Sequence, residues 1–467
     1  MNSNKGFMRK KMVAIFIAIT FVFVSGSSCK IGGGSVQEAS KPITINYWRV
    51  FDGQDNFKEI IAAYKAIHPH VTINYRLLRY DEYEYEILNA LAEDRGPDIF
   101  SIHNTWVSKY QSKLSPMPPS TTMVYPTIVG SIKKEVVYEL RTINSYTLGT
   151  LKDTFADVVY NDVVIDNKIY GLPLSVDTLA MYFNRDLLNN AGIVSLPEHW
   201  NREFFATVNK LTRLDTREGI VQSGAALGGA YNINRAPDIL AILMMQNGSI
   251  MQNEGGAITF NQIPPNGDFR ERGYNPGLEA LRFYTDFANP VKESYSWNED
   301  LDNALDLFIS GNLAIMFGYS YDYETIKSRA PRLNFSVTKL PQIESTPQKN
   351  INFANYWVEV VSNKSDHQNE AWNFLQFMTK EENVKSYLKN TKKPTALRAL
   401  VPEQIMDDEI GVFASQILTA TSWYKGTNPM SAETAIREMI LNVINNPTIR
   451  LQEILNTGAA RVQQTVK

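Results

Sequence analysis

Apolar and polar residues alternate along Ile43-Thr-Ile-Asn-Tyr-Trp48, the period of a strand with one buried face. From Gln54 to Ile67 the period changes: Phe57, Ile60, Ile61, Tyr64 and Ile67 recur at helical spacing, and His68-Pro69 closes the segment. Val71, Ile73 and Tyr75 alternate again, so the opening reads as a βαβ unit with parallel strands and a right-handed crossover. A second helix is predicted over Asp81–Asp94, with Ile87, Leu88 and Leu91 on its buried side and Gly96-Pro97 as its stop. Asp98-Ile-Phe-Ser-Ile102 is then a third short strand. In an open α/β sheet a ligand sits beyond the carboxyl ends of the strands where their order reverses. With the order 2-1-3, the end of the first strand at Trp48-Arg49 and the run His103-Asn-Thr-Trp106 after the third flank that point.

The middle of the chain mixes both periods. Asp177–Asn184 and Ala314–Phe317 read as strands, and Arg235–Gln246, Leu278–Phe287 and Asn303–Ile309 as helices, while the chain from Glu370 onward is mostly helical in pattern. No repeat or heptad array interrupts this, so two α/β lobes with added helices are the economical architecture. Without its first segment the chain has roughly 430 residues, more than one compact core holds and suited to two large domains.

That first segment is different in kind. Lys5, Arg9, Lys10 and Lys11 precede an apolar run from Met12 to Val24 and the small residues Ser25-Gly-Ser-Ser28, the three-part layout of a secretory signal. The run is about thirteen residues, against about twenty for a membrane-crossing helix. Cys29, the single cysteine, stands where a lipoprotein signal is cut and acylated. The position resembles a lipobox, with one departure: Gly26 occupies the place, three before the cysteine, where a large aliphatic residue is the rule. An ordinary leader cut near Ser27 is the competing reading. Residues 29–42 follow as a Gly- and Ser-containing tether.

Composition narrows the chemistry. Removing the four basic groups of residues 1–28 takes the net charge from −3 to −7, and the rest of the chain has no clustered Lys/Arg stripe, which argues against nucleic-acid binding. One cysteine leaves no intramolecular disulfide and no cysteine-based metal site. The five histidines are scattered, and no phosphate loop, metal-ligand spacing or Gly-x-Ser-x-Gly elbow occurs; neither metal nor cofactor is expected. A carboxylate pair of the glycosidase kind depends on distance in space and stays open as an alternative, as does a lipid-anchored surface adhesin. The 23 tyrosines and 7 tryptophans point instead to rings that face a ligand.

Several blocks, in order, resemble the extracellular solute-binding proteins of ABC importers, the sugar-binding group that includes maltose-binding protein. They are Tyr47-Trp48, His68-Pro69 and Gly96-Pro-Asp-Ile-Phe100; then GLPLSVDTLAMYFNRDLLNNAGI (171–193) with Pro197 and Trp200; then Gly311–Gly318, Pro341, Tyr356-Trp357 and AWNFLQFMT (371–379). The resemblance implies a periplasmic-binding-protein-like fold of two hinged lobes around a cleft. Lobe I would take residues 43–175 plus 356–380, and lobe II residues 176–355 plus 381–467. Chain crossings would lie near Ser175–Leu179 and Asn352–Tyr356, with a third after the helix containing Trp372. It implies a non-enzymatic monomer that hands a sugar to a permease served by an intracellular ATPase.

A sugar site needs flat rings together with carboxylates, amides or guanidinium groups. Trp48 and Trp106 fit by their place at strand ends, with capping of the core as their competing role. Arg49 and Asp52 follow the first strand, either in the cleft or as a solvated pair. Asn104 aligns with a sugar-gripping carboxylate of the family, and Asp177 with a family carboxylate beside the hinge, where capping of the next turn is the alternative. Tyr231, Asn234 and Arg235 lie in a loop leading into a helix; Tyr319, Tyr321, Tyr356, Trp357 and Trp423 complete the candidates. Trp200, Trp372 and Met244-Met245 read as structural.

Overall fold

A computed structural model describes residues 34–131, 133–217, 219–265, 268–345 and 349–467. The leader and Cys29 lie outside the described residues. Part of the expected tether is ordered: Gly34–Ala39 forms a short helix, α1, with Val36 buried.

β1 (Ile43–Val50) pairs in parallel with β2 (Val71–Leu78) along its whole length, from Ile43 opposite Val71 to Val50 opposite Leu78. β3 (Ile99–His103) joins the other edge of β1, Tyr47 lying opposite Ile99, and Trp357–Val361 closes the sheet antiparallel to β3. The order β2-β1-β3 places the reversal where the pattern put it. Alternation in β1 buries Ile45 and Tyr47 completely, and the Tyr47 ring meets Phe57, Tyr75 and Phe374 edge-on. α2 (Lys58–Ile67) buries Ile60 and Tyr64; α3 (Tyr80–Ala92) buries Tyr83, Ile87 and Leu91 and ends ahead of Gly96-Pro97.

Two apolar cores result. One gathers side chains from Ile45 to Val176 and again from Ala354 to Leu375; the other gathers those from Leu179 to Phe353 around the antiparallel sheet of Ile315–Gly318, Ala180–Asn184 and Phe335–Thr338. Between the cores Asp177–Thr178, Asn352–Asn355 and Ala420–Thr421 form a small sheet of their own, with Asn355 opposite Asp177 and Phe353 opposite Thr421. The helix Glu381–Thr391 and the chain through Val401 differ from the division drawn by sequence, because Val384, Tyr387 and Leu388 pack in the first core, Tyr387 on Phe57 with ring centres 5.3 Å apart. The second core takes back Phe413, Tyr424 and the apolar faces of Pro429–Asn445 and Leu451–Gln464.

The helix Ala236–Gln246 is buried nearly all round, Met244 included, and Trp372 is fully buried. Trp200 packs on Phe204, Phe283 and Phe317 and donates its Nε1–H to Gln246. A feature the periodicities did not announce is a long antiparallel ribbon, β4 (Ser120–Val129) with β5 (Glu135–Asn144).

Candidate ligand cleft

β1 continues two residues past Trp48, and this moves the site. Trp48 lies on the face opposite Tyr47, half-buried, with the Arg76 guanidinium 4.6 Å above its ring. The residue that emerges at the strand's carboxyl end is Phe51, absent from the sequence candidates. Its φ is +72° and its side chain is 58% exposed. A bulky aromatic residue in the left-handed region is a genuine outlier, costing of order 1–3 kcal/mol where surrounding structure enforces it. The other non-glycine residues with positive φ among the described residues are Asp94, Asp166, Asn167 and Lys392. Phe51 stacks on Tyr80 at 5.4 Å and 21°, and meets the edge of Trp357 at 5.6 Å. Trp357 in turn is packed by Tyr83, Trp106 and His103 at 5.6–5.9 Å. Trp106 is almost entirely buried and stacks on Tyr110, so it supports this wall from beneath.

The opposite wall belongs to the second lobe. Arg235, just before the helix Ala236–Gln246, sends Nη2 to Asp238 at 2.7 Å and lies 3.7 Å from Glu433. The Tyr319 hydroxyl donates to Asp238 at 2.6 Å, and Tyr321, half-exposed, stacks on Tyr319. Tyr231 is also half-exposed, beneath the guanidinium of Arg437, which donates to the carbonyls of Ala230, Ile233 and Asn234. The Asn234 side chain accepts from Asn303 at 2.6 Å. A cavity of about 450 Å³, including space open to solvent, has His103 and Thr105 on one side, Arg235, Asp238 and Glu433 on the other, and Phe353, Asn355 and Trp423 between; Phe51, Tyr80 and Trp357 lie outside its lining. Burial raises the Tyr80 hydroxyl pKa, and the charge of Glu433 across the cleft adds to it while Arg235 opposes it.

His103 is held neutral. Burial lowers its pKa to about 4, only partly offset by its bond to Asn355. Nε2 lies 3.1 Å from the Asn355 Oδ1, an acceptor only, so that nitrogen carries the proton and Nδ1 accepts from Thr105 Oγ1 at 2.8 Å.

The remaining candidates serve the framework. Arg49 and Asp52 are neither cleft residues nor a solvated pair. Both are buried, Arg49 Nη2 2.9 Å from Asp52 and Nη1 2.9 Å from Glu359, with Lys393 Nζ 2.7 Å from Asp52 and the Tyr387 hydroxyl donating to Asp52. A buried charge is tolerable only when so paired, and here each carboxylate has its cation. Asn104 donates to Asp162 at 2.9 Å and the Tyr356 hydroxyl donates to the same carboxylate at 2.8 Å; Ser422 and Lys425 reach it from the third crossing. Those two residues therefore fasten the crossing rather than face the cleft. Asp177 accepts from Ser320 N at 2.9 Å and Ser320 Oγ at 2.7 Å, which caps the helix Ser320–Arg329 and ties the hinge to the second lobe. Protein crowding raises its pKa to about 7 although the side chain keeps a partial opening to solvent, and burial raises Asp322 to about 7 as well. Among the described residues no group of three or more His, Cys, Asp or Glu is placed to hold a metal ion.

Two lobes on three paired crossings, with aromatic rings and charged groups at their junction, are the architecture of a hinged binding protein. The chain belongs to the bacterial extracellular solute-binding protein family, whose model matches residues 52–385. Over nearly its full length it is similar to the galactooligosaccharide-binding protein of Bacillus subtilis, 20% identical over 472 residues that cover 98% of this chain and 95% of that one. Among solved structures it resembles the cyclic α-maltosyl-1,6-maltose binding protein of Arthrobacter globiformis (TM-score 0.70, 17% identity, 91% and 99% covered). It likewise resembles the maltose-binding periplasmic protein of Listeria monocytogenes in complex with maltose (TM-score 0.68, 16% identity, 91% and 97% covered). Members of this family and these neighbours are binding proteins rather than enzymes.

Proposed function

We propose that the protein captures a mono- or oligosaccharide between its lobes and delivers it to an ABC permease driven by an intracellular ATPase. In this reading it acts outside the membrane as a monomer held by an acylated Cys29. The observation that carries it is the ring cluster of Phe51, Tyr80 and Trp357 close enough to the Arg235, Asp238 and Glu433 group for the charges of Glu433 and Arg235 to act on the Tyr80 hydroxyl: planar apolar area on one side, fixed donors and acceptors on the other. A pyranose offers the matching surfaces, an apolar ring face and a rim of hydroxyls. The names of the similar proteins, galactooligosaccharide- and maltose-binding, support the same ligand class.

Closure follows from differential contact. With the lobes apart a sugar meets one wall; with them together it meets both, and only that difference shifts the equilibrium. The small hinge sheet, with Asp177 and the Asp162 cluster on either side, is where the backbone can rotate without exposing either core. A carbohydrate panel screened by thermal shift tests the proposal: a sugar at about a hundred times its Kd stabilises the fold by about 2.7 kcal/mol. A rise in Tm with a sugar supports it; a rise only with a peptide, polyamine or organophosphate overturns the sugar and keeps the binding class. For the anchor, labelled palmitate that enters the parent and not Cys29→Ser is the expected result.

A further inference from the structure

The β4–β5 ribbon takes no part in the cleft. Its strands are ten residues each, ~34 Å at the usual rise. The inner half is tied down: Thr121 accepts from Asn373, Thr122 exchanges bonds with Asn369, and the His68 ring bonds the Val124 carbonyl and lies against Tyr125. The outer half carries apolar side chains in solvent. Ile128 is 67% exposed and Val136 52%; they stand directly opposite each other and share one face with the Val124–Leu140 pair. Val129, at the turn, is 41% exposed. Lys133 and Lys134 occupy the same turn, and the acidic neighbours are already engaged, Glu135 by Lys133 and Glu139 by Arg141 and Thr127. An apolar ribbon left bare is an association hazard, so its exposure calls for a partner.

The start of the described chain indicates which. α1 lies against both strands of the ribbon, with Val36 buried. Immediately before it come Cys29 and, further back, the apolar run Met12–Val24. Five residues from Cys29 to Gly34 span at most ~17 Å of extended chain, so an anchor there holds the ribbon beside the bilayer.

We propose that the outer half of the ribbon is a membrane-contact element. Ile128, Val129 and Val136 enter the headgroup layer of an anionic bilayer while Lys133 and Lys134 meet lipid phosphates. The contact fixes the orientation of the receptor on its tether. It rests on the anchoring of the N-terminus proposed above.

The test keeps the two apart. A chain starting at residue 30, with a hexahistidine in place of Cys29 and its Tm compared with that of the full chain, can be held on vesicles of phosphatidylcholine, phosphatidylglycerol and nickel-chelating lipid whatever the fate of Cys29. Val129→Cys then carries the sole thiol for an environment-sensitive fluorophore. Expected are a blue shift on the vesicles and quenching by nitroxide lipid, both lost in Ile128→Asp/Val136→Asp with unchanged Tm, and neither seen from Val291→Cys on the second lobe. A ribbon label that stays aqueous on the vesicles overturns the proposal. So does one shielded without vesicles as protein concentration rises, which indicates a second copy, or one shielded only when the permease is present.

Discussion

Two clusters of the same chemistry lie in this molecule, and only one faces the cleft. Arg49, Asp52 and Glu359 form ion pairs sealed inside the first lobe, their side chains 3%, 8% and 1% exposed, and Lys393 reaches Asp52 from the rim. Arg235, Asp238 and Glu433 form ion pairs on the cleft wall, the Arg235 and Glu433 side chains 22% and 35% exposed. In the first set each charge has an opposite one beside it, and the Arg49 Nε and Glu359 Oε1 atoms left without a hydrogen bond are buried beyond a ligand's reach. The second is held at one end, by Asp238 and Tyr319, and open at the other. Burial rather than residue type separates a framework from a site.

The sharpest way to break this contrast is to remove one partner from each set. Glu359→Gln leaves Asp52 as the single carboxylate between Arg49 and Lys393, one positive charge in excess, and loss of one member of a buried pair typically costs about 3–5 kcal/mol. Urea unfolding is expected to show that loss, while the molecules that remain folded bind with unchanged affinity. Glu433→Ala is expected to do the reverse, because Arg235 keeps its pairing with the buried Asp238. It removes charge-assisted hydrogen bonds of about 1.5–3 kcal/mol from the bound state, roughly a tenfold to hundredfold rise in Kd, with a much smaller change in the unfolding midpoint. Equal losses of stability in both variants would erase the distinction.

The sequence made the general plan legible and missed the local one for identifiable reasons. Strand and helix periods located the βαβ opening, because Ile45, Tyr47, Ile60 and Tyr64 obey the simple rule of one buried face. Placing the cleft needed the length of β1 to within two residues, and Tyr-Trp-Arg-Val-Phe gives no stop signal, so the choice fell on Trp48 instead of Phe51. A positive φ at an aromatic residue has no sequence signature. Asn104, Tyr356 and Lys425 meet at Asp162 from segments far apart in the chain, a convergence that no local pattern encodes. The helix after Lys380 was assigned across the hinge because periodicity tells which face is buried, not against what. Arg235 lies on the cavity lining, where a loop before a helix is a positional signal, and the place of Trp357 at a crossing came from the family resemblance.

Phe51 sharpens the comparison on the aromatic wall. Phe51→Ala removes a stacked ring worth about 0.5–1.5 kcal/mol beyond its area and leaves the φ strain of a residue with a Cβ. Phe51→Gly removes the ring and the strain together. Both are expected to weaken sugar binding by roughly tenfold, and the glycine variant is expected to melt above the alanine one. Calorimetric titration and thermal melts of the pair separate the two effects; a glycine variant melting no higher than the alanine one would mean that the backbone at 51 stores no strain.

The smallest effect lies in pH, at the hinge. Asp177 and Asp322 both have pKa values raised to about 7, above their usual 3.8, so the folded protein holds protons that the unfolded chain releases. Such groups lend stability that is complete below about pH 4 and lost as pH rises through 7. His103 acts in the opposite sense: lowered to about 4, it costs stability as pH falls below its ordinary 6.5. Between pH 6.5 and 8 the carboxylates dominate, and stability is expected to fall as pH rises through that window. Asp322→Asn is expected to flatten this slope, because an amide keeps an acceptor for Tyr319 N without titrating. Asp177→Asn is expected to do the same and to retain the Ser320 cap through its one amide oxygen, at the loss of the bond that Thr178 N donates to the other carboxylate oxygen. Urea midpoints of the parent and the two variants at pH 6.5 and pH 8 read the slope directly. A parent whose stability rises across that window would show both carboxylates to be ionised in the fold, and the hinge would then carry two negative charges instead of hydrogen-bonded acids.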